Sequence, residues 1–205
     1  MGVWEGQVLP RVIDKMLGNA QMAKVRSPSL ADLHGEVVEI GFGSGPNVAL
    51  YPEAVTKVYA VDPSAVGRKL AATRLAASPI PVEFIGLDGE VLALADDSVD
   101  SALSTWTLCT IPDVAAALAE LRRVLKPGGA LSFLEHGRSP VAKVARRQQR
   151  FEPVQRRVAG GCHLARDIPA LVLGAGFEME RLVEFDIEGP KIMSHMFSGL
   201  ARNPA

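Results

Sequence analysis

Cysteine, excess charge and long apolar runs are all scarce in this 205-residue sequence. Its two cysteines, Cys109 and Cys162, form no CxxC motif and no disulfide framework, so a reducing compartment is the simpler interpretation. The formal net charge of −1 gives no overall attraction to nucleic acid. No apolar run is long enough to span a bilayer, and polar residues interrupt positions 1–20, unlike a signal peptide. We therefore expect a cytoplasmic protein without a stable membrane anchor.

Apolar residues are abundant, at 48% of the chain, which is enough for one domain with a well-packed core. Strand-like and helix-like segments alternate, and this alternation predicts an α/β fold with a doubly wound parallel sheet. Five strands are predicted over residues 37–40, 57–61, 82–87, 99–103 and 130–135. The other predicted elements are helices over residues 64–77, 113–125, 139–158 and 167–173 and strands over residues 178–185 and 195–201. Pro153 is expected to interrupt the third of these helices.

The N-terminal segment has apolar residues at helical spacing, namely Leu9, Val12, Ile13 and Met16. This pattern predicts an amphipathic helix over residues 8–17. Two interpretations of its apolar side remain open. The helix either packs on the sheet or covers a ligand from outside the sheet.

A glycine-rich turn follows the first predicted strand. Gly41, Gly43 and Gly45 alternate with other residues, and Pro46 stands where a dinucleotide-binding motif would have its third glycine. Glycine lets the backbone approach a ligand closely, because no Cβ stands in the way. A bound pyrophosphate needs free amides at the helix start, and proline has none. The turn therefore predicts a site for a nucleoside ligand without phosphates.

Acidic residues follow the second and third predicted strands. Asp62, with its neighbour Pro63, can accept hydrogen bonds from both ribose hydroxyls, although aspartate is also common in such turns. Asp88 can accept a bond from an adenine amino group, or it can form an ordinary Asp-Gly turn. Gly89 and Glu90 are expected to contribute backbone contacts. Together with the glycine-rich turn, these residues predict a nucleoside site at the carboxyl ends of the strands.

His136 is the titratable residue expected on the acceptor side, because it lies at the end of the fifth predicted strand. A histidine there can take a proton from a thiol or a hydroxyl group, or it can simply bond to the backbone. His163, beside Cys162, is a second candidate. One histidine and one cysteine do not form a zinc site, so no metal is expected.

Basic residues recur on one side of the predicted helix over residues 139–158, at Lys143, Arg146, Arg147 and Arg150. Such a set is typical of a solvated helix face, and it can also meet an anionic substrate or a membrane surface. No interleaved aromatic residues support nucleic-acid binding, so we expect no nucleic-acid partner.

Taken together, five motifs resemble those of class I S-adenosylmethionine-dependent methyltransferases. They lie at residues 39–45, 61–62, 88–90, 97–100 and 125–129. The resemblance implies S-adenosylmethionine as cofactor and a Rossmann-like, seven-stranded sheet that is mostly parallel, with an antiparallel C-terminal hairpin. It also implies one domain over residues 1–205, made of an N-terminal helical cap (1–34), a cofactor-binding core (35–136) and a helical insertion with C-terminal strands (137–205).

The same resemblance assigns roles to further residues. Glu39, within the first strand, is expected to order the glycine-rich turn or to meet the methionine amine, directly or through water, unless it makes only a structural hydrogen bond. Ser104 and Thr105 are expected to hold the methionine ammonium through their backbone carbonyls. Trp106 either lines the adenosine or acceptor pocket or belongs to the core.

Three shorter segments, residues 107–109, 133–136 and 161–164, are similar to methyltransferase-like proteins that methylate alkyl thiols. This similarity implies a small-molecule methyl acceptor, with a thiol as the suggested class. Two other functions stay open. One is a nicotinamide-dependent oxidoreductase, against which Pro46 and the Asp88 site argue. The other is a non-catalytic nucleoside-binding module that uses its basic helix for partners.

Overall fold

The computed structural model describes residues 2–204 and contains one seven-stranded sheet. The strands are β1 (Gly35–Ile40), β2 (Val55–Val61), β3 (Val82–Gly86), β4 (Val99–Thr105), β5 (Leu125–His136), β6 (Glu178–Asp186) and β7 (His195–Arg202). Their spatial order is β3-β2-β1-β4-β5-β7-β6. The first five strands pair in parallel, whereas β7 is antiparallel to both β5 and β6. The predicted sheet with its antiparallel C-terminal hairpin is confirmed.

Six α-helices accompany the sheet: α1 (Leu9–Leu17), α2 (Ala20–Leu30), α3 (Ala65–Ala76), α4 (Val114–Val124), α5 (Ala142–Val158) and α6 (Ile168–Gly174). A π-helical segment (Trp4–Val8) precedes α1, and a 3-10 turn (Val48–Leu50) follows the glycine-rich turn. Within residues 2–204, none of these helices combines the length and apolar character that crossing a bilayer requires.

Side-chain caps fix where several helices begin. Ser64 accepts a hydrogen bond from the amide of Gly67 (2.9 Å) at the start of α3, and Asp113 accepts one from Ala116 (3.0 Å) at the start of α4. Each cap satisfies an amide that has no partner within its helix. These two predicted helices therefore start where the sequence places them.

Two apolar clusters hold the sheet between its helices. One joins β4 and β5 to α4 and α6 through side chains such as Leu118, Leu131 and Val172. The other joins β1 and β2 to α2 and α3 through side chains such as Leu30, Val58 and Ala71. Because both sheet faces are covered, the strand-end loops at one edge are left to build a site.

Two local predictions were wrong. Helix α5 continues through Pro153, and the carbonyl that loses its helical partner belongs to Gln149, which is itself exposed to solvent. Residues 126–129, expected to form a turn between the predicted helix over 113–125 and the strand over 130–135, lie inside β5 as an irregular stretch. Gly128 there has a φ of +77°, and the pairing with β4 shifts register. The basic side chains of α5 predicted to share a helix face are exposed, as on a solvated helix: Lys143, Arg146, Arg147 and Arg150.

Candidate functional site

A cavity of about 480 Å³ lies at the carboxyl ends of the parallel strands. It adjoins β1 and β4, the neighbouring strands at which the strand order reverses. In open α/β sheets, such a reversal leaves a crevice in which ligands bind. The residues that line this cavity include several predicted site residues, namely Gly41, Gly43, Asp62, Pro63, Asp88, Gly89 and Thr105.

The three glycines of the glycine-rich turn all have positive φ, but they face different surroundings. A Cβ on Gly41 would lie 1.9 Å from Thr107 Oγ1, so this position admits no side chain. A Cβ on Gly43 would meet nothing closer than a carbonyl oxygen at 3.8 Å, because Gly43 faces the cavity. A Cβ on Gly45 would press on Val48 and Phe42, which lie in the core. The predicted ligand contact of Gly45 is therefore corrected to a role in shaping the turn.

Asp62 lines the cavity and is almost fully buried. Its Oδ2 accepts a hydrogen bond from Gly43 N (2.8 Å), and its Oδ1 accepts one from Ser64 N (2.7 Å). Burial raises the pKa of the carboxyl, while these two amides oppose the shift. Each carboxylate oxygen keeps a free lone pair, so Asp62 can hold the glycine-rich turn and still accept hydroxyl groups. Both predicted interpretations of Asp62 are thus compatible.

The segment after β3 contributes only part of what was predicted. Asp88 is exposed at the cavity edge, and its Oδ1 accepts a hydrogen bond from Glu90 N (2.8 Å). Gly89 lines the cavity beside it. Glu90 points elsewhere, because its Oε1 accepts a hydrogen bond from Asp113 N (2.8 Å) at the start of α4. The Glu90 side chain thus serves the neighbouring helix, and Glu90 is not among the residues that line the cavity. The backbone contact predicted for it stays a prediction.

Glu39 is fully buried behind the glycine-rich turn and does not line the cavity. Asn47 Nδ2 donates to Glu39 Oε1 (2.9 Å) and to Thr105 Oγ1 (3.0 Å), and the Tyr51 hydroxyl donates to Glu39 Oε2. Burial raises the pKa of Glu39 to about 7 against these hydrogen bonds. The prediction that Glu39 meets the cofactor directly is therefore corrected. Of the predicted alternatives, the structure fits the one in which Glu39 orders the turn.

A second buried carboxylate, Glu135, shapes the turn after β4. Its Oε1 accepts hydrogen bonds from Ser104 Oγ (2.7 Å) and from the amides of Thr107 (2.9 Å) and Leu108 (3.0 Å). The Ser104 side chain is thereby directed at Glu135, and Ser104 is not among the residues that line the cavity. The contact predicted for its backbone carbonyl stays a prediction. Thr105 lines the cavity.

Arg26, on α2, is a site residue that the sequence did not reveal. Its side chain is buried at the cavity wall and lies over the Trp106 ring, 4.6 Å from the ring centre. It donates from Nη1 to Leu17 O, while its Nε has no partner among the described residues. Burial lowers the pKa of this guanidinium to about 10. A lone arginine in a polar helical segment gives no pattern from which this position could be found.

Helix α1 covers the cavity from outside the sheet. Leu9, Ile13 and Leu17 line it, and Asp14 accepts hydrogen bonds from Ser44 Oγ (2.6 Å) and Arg74 Nη1 (2.8 Å). The helix packs on α3 rather than on the strands. Of the two interpretations that the sequence left open, the structure therefore supports the ligand cover.

His136 lies away from the cavity wall, which corrects its predicted place facing the acceptor. Its ring is buried, and Nε2 is hydrogen-bonded to Cys162 Sγ at 2.9 Å. Cys109 Sγ lies 3.9 Å from Cys162 Sγ. We name these three residues the thiol–imidazole cluster. His163 points away from the cluster and pairs with Glu152 through Nδ1 (2.8 Å).

Residues 38–133 match the family model described as a methyltransferase domain, and they include the glycine-rich turn and both strand-end acids. The chain carries a methyltransferase domain. It is 38% identical over 135 residues to the thiol S-methyltransferase TMT1B of Rattus norvegicus, covering 64% of this chain and 55% of that protein. It is also 32% identical over 132 residues to a demethylmenaquinone methyltransferase of Clavibacter sepedonicus, covering 63% and 54%. The chain spans about half the length of these curated relatives.

Solved structures share the fold of this methyltransferase domain. One, described as an S-adenosylmethionine-dependent methyltransferase from Mesorhizobium loti, aligns with a TM-score of 0.67 and 20% identity, covering 90% of this chain and 98% of that one. The predicted Rossmann-like fold class is thereby confirmed, and the family match confirms the predicted methyltransferase family.

Proposed function

We propose that this methyltransferase domain binds S-adenosylmethionine and methylates the sulfur of a small-molecule thiol. The cofactor part rests on the family match and on the cavity beside the glycine-rich turn. The acceptor part rests on the similarity to a thiol S-methyltransferase and on the side chains that the cavity offers.

Three features of the cavity fit an S-adenosyl compound. Gly43 leaves open space where a side chain would stand, so an adenosine can approach the backbone. Asp62 keeps lone pairs for ribose hydroxyls. Arg26 Nε is a buried donor without a partner among the described residues, and a carboxylate such as that of the methionine part would satisfy it.

Charge at the cavity also suits a cationic donor. Three carboxylates line it, from Asp14, Asp62 and Asp88, against the guanidinium of Arg26, and Asp14 is paired with Arg74. S-adenosylmethionine, when bound, supplies an electrophilic methyl group on a positively charged sulfur, which a nucleophile attacks from the opposite side. The protein's part is to position the two reactants, and positioning alone can be worth effective molarities on the order of 10⁵–10⁸ M.

The observation that carries the thiol assignment is the lack of a free general base on the cavity wall. Among the described residues that line it, there is no histidine, lysine or glutamate. Asp14 already accepts hydrogen bonds from Ser44 and Arg74, and the free lone pairs of Asp62 and Asp88 are assigned to the cofactor. A thiol, with a pKa of roughly 8.5, ionises without help, whereas a phenol at about 10 or an alcohol depends more on a base. The site therefore favours a thiol acceptor.

Methyl transfer from labelled S-adenosylmethionine to a panel of acceptors tests this proposal. The panel contains alkyl thiols, the alcohols of the same carbon skeletons, phenols, amines and a demethylated quinol, the last because of the similarity to a demethylmenaquinone methyltransferase. We expect labelled thioethers to form and the matched alcohols to stay unmodified. Turnover of the quinol or an amine without turnover of any thiol would overturn the acceptor assignment.

A further inference from the structure

The thiol–imidazole cluster has no part in the proposed methyl transfer, yet it gathers three side chains that bind metals. The Sγ atoms of Cys109 and Cys162 and a ring nitrogen of His136 all lie within 4.8 Å of one another, and all three side chains are buried. His136 Nε2 lies 2.9 Å from Cys162 Sγ, and the two Sγ atoms lie 3.9 Å apart. Atoms this close can share one ion, since zinc bonds are about 2.3 Å to sulfur and 2.0–2.1 Å to nitrogen.

Separate parts of the chain build the cluster. Cys109 lies in the turn after β4, His136 ends β5, and Cys162 follows α5. The amide of His163 donates to the carbonyl of Cys109 (2.8 Å), which ties the two cysteine segments together. The amide of Cys109 donates to Glu135 Oε2 (3.4 Å). The backbone therefore holds the ligand atoms together before any ion arrives.

His136 is not an ordinary structural histidine. The one hydrogen bond that its ring makes among the described residues goes to a thiol. Its Nδ1 is buried and has no partner among the same residues. Buried polar atoms are normally satisfied by the backbone or by water. The ring is thus directed at sulfur, the element that borderline-soft cations prefer.

We propose that Cys109, His136 and Cys162 form a buried binding site for one Zn²⁺ ion, with the fourth coordination position open to water or another donor. Binding releases the two thiol protons, so the two thiolates neutralise the ion's charge. The site joins the turn after β4 to the segment after α5. Both segments also line the cavity, through Thr110 and Gly161. Zinc would therefore stiffen one side of the ligand cavity.

Cobalt substitution tests the proposal on the full chain, purified with a thiol-free reductant and stripped by a chelator. We expect one Co²⁺ per chain, with thiolate-to-cobalt charge-transfer absorption and the visible bands of a tetrahedral site. One equivalent of Zn²⁺ should abolish both. The apparent melting temperature should rise as zinc is added.

Variants locate the ligands. Cys162→Ser and His136→Asn should each weaken zinc binding by about tenfold or more, since even changes around metal ligands cost roughly 10–100-fold. His163→Asn is the matched control, because this neighbouring histidine pairs with Glu152 outside the cluster, and it should bind zinc like the wild type. Circular dichroism shows which variants are folded.

Two results would overturn the site. One is wild-type protein with two free, titratable thiols and no charge-transfer absorption with Co²⁺. The other is a folded Cys162→Ser variant that binds zinc with unchanged affinity. The wild-type spectrum decides the question even if a variant fails to fold. None of these readouts needs methyl transfer, so they are independent of the proposed function.

Discussion

At the scale of single residues, Gly43 shows most clearly how the chain makes room for a ligand. Gly43 and Gly128 both have positive φ, at +56° and +77°, and both have open space where a Cβ would stand. The left-handed conformation costs an L-residue roughly 1–2 kcal/mol at either position. Only Gly43 lines the cavity, so the pair separates backbone strain from ligand contact.

We predict that Gly43→Ala lowers the affinity for S-adenosylhomocysteine by about tenfold or more, because the added methyl group takes up space that the bound ligand needs. Gly43→Ala and Gly128→Ala should both lower the free energy of unfolding by roughly 1–2 kcal/mol. Gly128→Ala should leave the affinity for S-adenosylhomocysteine unchanged. Isothermal titration calorimetry and urea denaturation of both variants measure the two effects. Equal affinity in Gly43→Ala and the wild type would place the ligand elsewhere.

Glu39 gives a prediction about pH. Burial raises its folded-state pKa from 4.5 to about 7, so the folded protein holds this proton more tightly than the unfolded chain does. Folding therefore disfavours the charged form of Glu39. The resulting loss in the free energy of unfolding is absent well below pH 4.5 and complete well above pH 7. A shift of this size corresponds to about 3 kcal/mol.

The Glu39→Gln variant removes this titration and retains a group of the same size. The free energy of unfolding of the wild type, minus that of Glu39→Gln, should fall by about 2 kcal/mol as the pH rises from 5 to 7. Urea denaturation across this range measures the difference, and the other titrating groups cancel in it. Parallel stability curves for the two proteins would show that Glu39 is not the group responsible.

At the scale of elements, the N-terminal helices complete the site. Helix α1 covers the cavity, and α2 brings Arg26 beside Trp106. The sequence predicted α1 from its apolar spacing, but periodicity does not show which surface an apolar face covers. Arg26 was missed for a related reason, since one arginine in a helix reads as a solvated side chain. Glycine turns and strand-end acids are predictable because chain order fixes their place; residues delivered by distant helices are not.

We predict that Arg26→Met weakens binding of S-adenosylhomocysteine by about tenfold or more, since hydrogen bonds to charged groups contribute about 1.5–3 kcal/mol. Methylthioadenosine, which lacks the amino-acid part, should bind the variant as it binds the wild type. Calorimetry with both ligands makes the comparison. If both weaken equally, Arg26 supports the cavity structurally and does not hold the carboxylate.

At the scale of the whole molecule, the sequence predicted the sheet and the place of the strand-end motifs better than it predicted the surroundings of His136. Motifs close to strand ends, such as the glycine-rich turn and Asp62, lie where the parallel sheet places them. His136 also ends a strand, but its ring turns toward Cys162 instead of the cavity. Cys109 and Cys162 are too far apart in sequence to suggest a shared cluster. The division of the domain into residues 1–34, 35–136 and 137–205 stays a prediction.

The pH dependence of methyl transfer tests the central claim most directly. With two alkyl thiols of different pKa, and no general base on the cavity wall, kcat/KM should rise with pH around a midpoint that moves with the pKa of each thiol. A single midpoint shared by both thiols would reveal a base supplied by the protein. Absence of transfer to either thiol, at any pH, would contradict the proposed function itself.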